Sequence, residues 1–103
     1  YPDAARELEI VKARRPMASA ALAQEVVLFV QALRGGELYK APGVAETLDW
    51  AEALVALDRF ALDPATVADT IGVLLKYQDD VGAITPEVAA RIVAEVKQGT
   101  SGA

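Results

Sequence analysis

The chain has no cysteine and no histidine. These are the commonest soft ligands for transition metals, and histidine is the side chain best suited to acid–base chemistry near neutral pH. Their absence excludes disulfides and cysteine–histidine metal centres. The sequence also contains no Walker-type phosphate loop, no dinucleotide-binding fingerprint and no nucleophile paired with a base. We therefore predict no catalytic residue and no metal ligand, and expect no catalysis from this chain alone.

Basic charge is also scarce. The 10 Lys and Arg residues are outnumbered by 15 Asp and Glu, giving a net charge of −5, and the basic residues are scattered apart from Lys12, Arg14 and Arg15. A protein that binds nucleic acid usually presents a basic patch, so we expect no nucleic-acid partner. No apolar run reaches the roughly 18 residues that indicate a membrane span, so we also expect no membrane partner and a cytoplasmic location.

Glycine and proline are rare inside the apolar runs, which are dominated by alanine, leucine and valine. This composition favours helices over strands, and no segment alternates apolar and polar residues with a period of two. We predict an all-α fold, a small bundle of about five helices, in a single domain over residues 1–97. Residues 98–103 are expected to form a disordered tail. Because the chain begins at Tyr1 and not at a methionine, we expect either a piece of a longer protein or a processed product, and the first is favoured because residues 1–3 lead directly into a helix.

Start and stop signals give approximate helix boundaries. The predicted helices cover residues 3–14, 18–34, 43–57, 63–77 and from 86 onward. Asp3, Asp63 and Thr85 stand where N-caps are expected, the last two followed by proline. Gly35-Gly36 predicts a left-handed C-cap for the second helix. That helix is apolar almost all round, so we expect it to be central, with Phe29 in the core.

Acidic residues form two groups with alternative interpretations. Glu46, Asp49 and Glu52 lie along one strip of the third helix, where they could hold a hard cation, but a solvated acidic face is favoured. Asp79 and Asp80 could also bind a metal, yet such a pair more often marks a helix end. Acids at a helix C-terminus oppose the helix dipole, so the sequence does not explain their placement there.

Three single residues each have two possible interpretations. Trp50 is the only tryptophan, and core packing is favoured over a role as an interface anchor. Tyr39, in a loop, is either a contact residue or a cover over the core. Gly72 interrupts the fourth helix at a cost of about 1 kcal/mol relative to alanine, and a close approach by a neighbouring helix is the favoured reason.

Two segments resemble the lid of MoxR-type AAA+ ATPases, closest to the branch that includes CoxD-like proteins. KAPGVAETLDWA at residues 40–51 is similar to the start of a lid helix, and TIGVLLKYQDD at residues 70–80 is similar to the next stretch of that branch. YPD at residues 1–3 followed by ELEIV at 7–11 resembles the first lid helix after the core domain. The resemblance covers about residues 1–81, with its segments in the same order.

The resemblance implies a role in a larger machine. Such a C-terminal helical lid covers nucleotide that is bound mainly by an α/β core domain, which supplies the ATP and Mg²⁺ sites. The implied partners are that core, neighbouring subunits of a ring that is commonly hexameric, and a von Willebrand A-type protein. The parent would be an ATPase with a chaperone-like role in metalloenzyme assembly. The residues implied to face the nucleotide are Gly43, Val44 and Ala45, with Ile10 beside the adenine.

One position departs from the family pattern. AAA+ lids often carry an arginine that reaches the γ-phosphate, and Ala45 occupies that position here. Lys40 is the nearest basic residue before the third helix and is the candidate for replacing this charge. Open backbone amides at the start of that helix would favour an anion. The alternative to a lid is a free-standing helical module that binds a partner helix in an apolar groove.

Overall fold

A computed structural model describes residues 1–101 of the chain. The helices are α1 (Ala4–Arg14), α2 (Ala20–Arg34), α3 (Val44–Ala56), α4 (Pro64–Leu74), α5 (Gln78–Ala83) and α6 (Pro86–Ser101). No strand occurs in this part of the chain, so the predicted all-α fold is confirmed, with one short helix more than the five expected. None of the helices within residues 1–101 is both long enough and apolar enough to cross a membrane.

The three N-caps predicted from sequence are confirmed. The amide of Arg6 donates to Asp3 Oδ1 at 2.8 Å, and the amide of Thr66 donates to Asp63 Oδ1 at 2.8 Å. The amide of Val88 donates to the Thr85 hydroxyl oxygen at 3.2 Å. Each cap occupies a backbone donor that has no partner within its helix. At α4, the Thr66 amide lowers the pKa of the Asp63 carboxyl by stabilising its charged form.

The predicted left-handed cap at the end of α2 is wrong. Gly35 has φ −80° and ψ −6°, and no glycine among residues 1–101 has a positive φ. The helix ends instead by tightening its last turn, because the amides of Gly35 and Gly36 donate to carbonyls three residues earlier at 3.2 and 3.0 Å. The left-handed residue is Asp58, with φ 56°, just after α3.

The second helix is central, as its apolar sequence predicts. It packs against α1, α3 and α6, and eight of its residues are buried. The Phe29 ring lies 5.2 Å from the Trp50 ring, and neither side chain is exposed. Trp50 Nε1 donates to the Thr70 hydroxyl oxygen at 2.7 Å, which satisfies the buried indole and links α3 to α4. The core position predicted for Trp50 is confirmed.

The fourth predicted helix divides in two. It ends at Leu74, because Leu75 and Tyr77 are extended, with ψ 129° and 139°, and α5 starts one residue later. The two acidic residues after Tyr77 thus lie in the first turn of α5, where negative charge is favourable. The close approach expected at Gly72 is wrong, since a Cβ added there would meet no heavy atom within 4 Å.

The C-terminal end also differs from the sequence expectation. Helix α6 continues to Ser101, so residues 98–101 of the expected disordered tail are helical. Residues 102–103 of that tail lie outside the described residues. The apolar side chains of α6 explain why the helix forms, because Ala89, Ile92, Val93 and Val96 are buried in the core.

Candidate functional site

A groove lies between α1 and the first turns of α3. Its volume is ≈ 520 Å³, and its walls include Ile10 and Arg14 from α1 and Val44 and Ala45 from α3. Three of the four residues expected to face nucleotide, Ile10, Val44 and Ala45, therefore lie together, although 34 positions separate the two segments. The fourth, Gly43, is the N-cap residue directly before α3 and is not among the lining residues.

The sequence of α1 places Ile10 in this groove. Glu7 and Val11 are buried on the core side of the helix, and Ile10, about 100° around the helix from Val11, lies at the edge of that side and is half-buried. Arg14 is four residues further along the same face, and it also lines the groove. Sequence reasoning missed Arg14 as a groove residue, although its spacing from Ile10 is a signal that could have identified it.

Among the described residues, the basic residue that lines the groove without an ion-pair partner is Arg14 and not Lys40, the residue expected from the sequence. Arg6 Nη1 and Glu9 Oε2 form an exposed ion pair at 3.1 Å, whereas Arg14 forms no salt bridge within residues 1–101. Arg14 is therefore available to an anionic ligand. Lys40, the basic residue expected from the sequence, is exposed in the preceding loop and is not a lining residue.

The start of α3 is already occupied by one of its own side chains. The Gly43 amide donates to Glu46 Oε1 at 2.9 Å, so the Glu46 side chain caps the N-terminus of its own helix. The Glu46 carboxylate adds negative charge at the position where a phosphate would approach, and Lys76 Nζ lies 3.9 Å from its other oxygen. Thus the Gly43 amide is not open to an anion, and the cation beside the groove is Arg14.

A buried network holds the two walls of the groove together. The Glu7 carboxylate accepts hydrogen bonds from Arg34 Nη1 and Nη2 at 2.7 Å each, from Gln31 Nε2 at 3.0 Å and from the Thr47 hydroxyl at 3.0 Å. These donors come from α2 and α3, so one side chain of α1 links three helices. Arg34 Nε also donates to the carbonyl of Pro42 at 2.8 Å, which fixes the segment that leads into α3.

Burial and hydrogen bonding act in opposite directions on Glu7. Burial raises the pKa of its carboxyl, but hydrogen bonds from Arg34, Thr47 and Gln31 and the charge of Arg34 together lower that pKa below its ordinary value. Glu7 is thus a charged group inside the core. Sequence reasoning missed it, although its i, i+4 spacing from buried Val11 was an available signal.

The N-terminal tyrosine extends this network to the surface. The Arg34 guanidinium lies 4.4 Å from the centre of the Tyr1 ring, which places a cation over an aromatic face. The Tyr1 hydroxyl donates to the Ala41 carbonyl at 3.4 Å. Residues before α1 and before α3 therefore both contact the same arginine.

The acidic strip on α3 does not form a compact cation site. Glu46 is committed to the helix cap, while Asp49 and Glu52 are exposed. Within residues 1–101, no group of three or more carboxylate, histidine or cysteine side chains is arranged to hold a metal ion.

Among residues 1–101, the α1–α3 groove combines apolar surface with one arginine, Arg14, that forms no salt bridge. Ile10, Val44 and Ala45 provide a surface that suits a flat ring, and the Arg14 guanidinium suits a phosphate or carboxylate beside it. The Glu9 carboxylate in its wall is engaged by Arg6. These side chains can bind and orient a ligand.

No protein-family model, curated protein or solved structure matches the chain.

Proposed function

We propose that this chain is the C-terminal helical lid domain of a MoxR-type AAA+ ATPase of the CoxD-like branch. The observation that carries the proposal is the α1–α3 groove, in which Ile10, Val44 and Ala45 meet. Its volume of ≈ 520 Å³ falls within the range of about 300–1,000 Å³ typical of small-molecule sites. In this role the lid covers ATP bound mainly by a separate core domain, which holds the Mg²⁺.

The groove suggests how the lid would contact the nucleotide. Ile10, Val44 and Ala45 pack against the adenine, and Arg14 pairs with phosphate oxygens in place of the arginine that the family pattern puts at Ala45. A charge-assisted hydrogen bond of this kind contributes about 1.5–3 kcal/mol. The Glu7–Arg34 network keeps α1 and α3 in register, so that both walls move as one body when the lid moves against the core.

The proposal includes the partners that such a lid serves. The lid docks on its own core and on neighbouring subunits of a ring, which is commonly hexameric. Turnover in the ring is coupled to chaperone-like assembly of metalloenzymes, with a von Willebrand A-type protein as a further partner. The support for this part is the resemblance of residues 40–51 and 70–80 to the family's lid.

Nucleotide titration followed by NMR tests the groove. We expect ATP added to the ¹⁵N-labelled chain to shift the amide signals of Ile10, Val44 and Ala45, and Arg14→Gln to weaken the response to ATP but not to adenosine. Arg91→Gln is the matched control, because Arg91 is an exposed arginine of α6 outside this groove. Shifts confined to other parts of the chain, or an equal loss with both variants, would contradict the nucleotide-facing assignment.

Substitution at Ala45 tests the same assignment in the complete ATPase. Ala45 is exposed at the edge of the groove, so Ala45→Arg adds a guanidinium without disturbing the core. We expect ATP affinity to change by about ten- to hundredfold in the ring, from a contact of about 1.5–3 kcal/mol. Circular dichroism of the isolated domain should be unchanged. Unaltered binding and turnover in the ring would show that Ala45 does not face the phosphates.

Phosphate release tests the division of labour between lid and core. We expect the 103-residue chain alone to release no phosphate from ATP above the buffer blank in a malachite-green assay. The physical reason is that, within residues 1–101, the side chains lining the groove offer binding surface and the Arg14 charge but include no nucleophile paired with a base. Turnover that persists through a second, independent purification would contradict the proposal.

The alternative function is a free-standing helical protein-interaction module. The observation that favours it is the exposure of large apolar side chains, with Met17 81% and Phe60 73% exposed. The coding sequence upstream of Tyr1 separates the two functions. A phosphate-loop motif in the same reading frame supports the lid, whereas a stop codon or an unrelated domain there supports the interaction module.

A further inference from the structure

A second surface, which shares no lining residue with the α1–α3 groove, lies at the junction of α4 and α5. Tyr39 and Tyr77 line one open pocket of ≈ 490 Å³ together with Gln78 and Asp79. The two tyrosines are 80% and 52% exposed. Tyrosine combines a large apolar ring with a polar hydroxyl, and it is enriched where proteins contact partners. The pocket therefore presents two aromatic side chains to solvent at one place.

A buried carboxylate fixes the loop that carries Tyr39. Asp80 is 2% exposed, and its Oδ1 and Oδ2 accept the amides of Tyr39 and Lys40 at 2.8 and 3.0 Å. Burying a charge is unfavourable unless hydrogen bonds compensate, and here both carboxylate oxygens are used on the backbone of a loop whose side chains are exposed. Asp80 thus orders the backbone of Tyr39 in advance of any contact, which reduces the entropy lost on binding.

The neighbouring carboxylate remains available. Asp79 is exposed, lines the pocket and forms no salt bridge within residues 1–101. Two lysines flank the tyrosines in sequence, but neither Lys40 nor Lys76 is a lining residue, and Lys76 Nζ lies 3.9 Å from Glu46 Oε2. Within the part of the chain that the structure describes, the pocket therefore combines two aromatic rings with one carboxylate, Asp79, that forms no salt bridge.

We propose that Tyr39, Tyr77 and Asp79 form a docking surface for an arginine side chain on an extended segment of a partner protein. A guanidinium is planar and weakly hydrated, stacks on aromatic faces and pairs with a carboxylate through parallel hydrogen bonds. Lysine lacks the planar fork and is more strongly hydrated. The net charge of −5 adds a long-range attraction for a basic segment. This surface is independent of the nucleotide groove, so either assignment can fail without the other.

Titration of the ¹⁵N-labelled chain with short peptides tests this surface. The probe is the capped peptide Gly-Ser-Arg-Ser-Gly, and the matched peptides carry citrulline or lysine in place of arginine. We expect the arginine peptide to shift the amide signals of Tyr39, Tyr77 and Asp79. The citrulline peptide has nearly the same shape without the charge, so it should bind at least severalfold more weakly, and the lysine peptide should fall between the two.

Substitutions of exposed residues provide the second measurement. Tyr39→Ala and Tyr77→Ala should each weaken binding of the arginine peptide about two- to fivefold. Asp79→Asn should also weaken it about two- to fivefold, as expected for an exposed ion pair. Asp69→Asn is the matched control, because Asp69 is exposed on α4 outside the pocket, and it should leave binding unchanged.

Four results would overturn the proposal. Equal binding of the arginine and citrulline peptides would show that the charge of the guanidinium does not contribute. An equal effect of Asp69→Asn and Asp79→Asn would show that only the net charge of the protein matters and that Asp79 makes no specific contact. Shifts centred outside residues 37–40 and 77–80 would place the arginine elsewhere. Tighter binding of a capped proline-rich peptide than of the arginine peptide would assign the tyrosines to a different ligand. A two- to fivefold weaker response with Asp79→Asn, together with wild-type spectra elsewhere, would support the proposal.

Discussion

The Glu7 carboxylate on α1 and the Arg34 guanidinium on α2 face each other through two hydrogen bonds of 2.7 Å. Glu7 is fully buried, and the Arg34 side chain is only 7% exposed. The same arginine holds the Pro42 carbonyl, so this pair connects the core to the start of α3. A buried pair of this kind is costly to break on one side only, because the remaining charge stays in the core.

Removal of one partner should therefore be worse than removal of both. We expect Arg34→Met to lower the free energy of unfolding by about 3–5 kcal/mol, because the Glu7 carboxylate remains buried without its cation. The double variant Glu7→Met/Arg34→Met should recover most of that loss. Urea midpoints measure both effects, with Arg6→Met as the exposed-pair control, expected within about 0.5 kcal/mol of wild type. A double variant as unstable as the single one would show that the pair itself stabilises the fold.

The same pair predicts a pH dependence. The pKa of the Glu7 carboxyl is lower in the folded protein than in the unfolded chain. The Glu7–Arg34 pair therefore adds to the free energy of unfolding above the unfolded pKa of about 4.3, and this contribution is lost as the pH falls through the folded pKa. In Arg34→Met, burial without a cation should raise the pKa of Glu7 instead. The difference in free energy of unfolding between this variant and wild type should therefore become smaller as the pH falls. Urea unfolding of both proteins between neutral pH and acid measures this. A deficit that is constant over that range would contradict it.

The backbone conformation of the loop that carries Tyr39 should depend on the Asp80 carboxylate and not on that of Asp79. We expect Asp80→Asn to cost about 1.5–3 kcal/mol, because an amide cannot accept at both positions where the carboxylate accepts the Tyr39 and Lys40 amides. Asp79→Asn, one residue earlier and exposed, should change stability by less than about 0.5 kcal/mol. Hydrogen exchange at the Tyr39 amide should accelerate only in Asp80→Asn. Equal exchange rates in the two variants would argue against the role of Asp80.

The two phenylalanines form a matched pair for the core. Phe29 has no exposed surface and packs against Trp50, whereas Phe60 is 73% exposed. We expect Phe29→Ala to cost about 3–5 kcal/mol, the usual range for deleting a buried aromatic side chain. Phe60→Ala should cost less than about 0.5 kcal/mol. Urea unfolding followed by the fluorescence of Trp50 measures both, and a loss under about 1 kcal/mol for Phe29→Ala would contradict its central position.

Gly72 should be a position where substitution stabilises the protein. It lies inside α4, its surroundings are open, and its φ is not positive. We expect Gly72→Ala to raise the free energy of unfolding by about 0.5–1 kcal/mol, since alanine has less backbone freedom to lose. Gly43→Ala is the control, because its Cβ would lie 3.2 Å from Glu46 Oε1 in the helix cap. Thermal midpoints of the two variants measure the effects. A lower midpoint for Gly72→Ala than for wild type would show that a side chain is unfavourable at this position and would contradict the prediction.

Local features of this protein follow from its sequence. The caps at Asp3, Asp63 and Thr85 act through backbone groups three residues away, so the amino-acid order alone predicts them. The burial of Phe29 and Trp50 follows from the width of the apolar faces on their helices. The residues expected to face nucleotide were proposed from sequence resemblance, and three of them share one groove. Whether nucleotide binds there stays a prediction.

The remaining features depended on contacts between distant segments. Glu7 and Arg34 are 27 positions apart, and nothing in either helix shows that the other would supply the opposite charge at 2.7 Å. Asp80 lies in the first turn of α5, and its carboxylate accepts amides 40 and 41 positions away in the chain. The all-helical character, the N-caps and the apolar core can be predicted from the sequence, because they depend on local periodicity and short-range hydrogen bonds. The identity of the buried polar groups depends on how the helices pack, because a buried charge is stable only where separate helices bring its partners together.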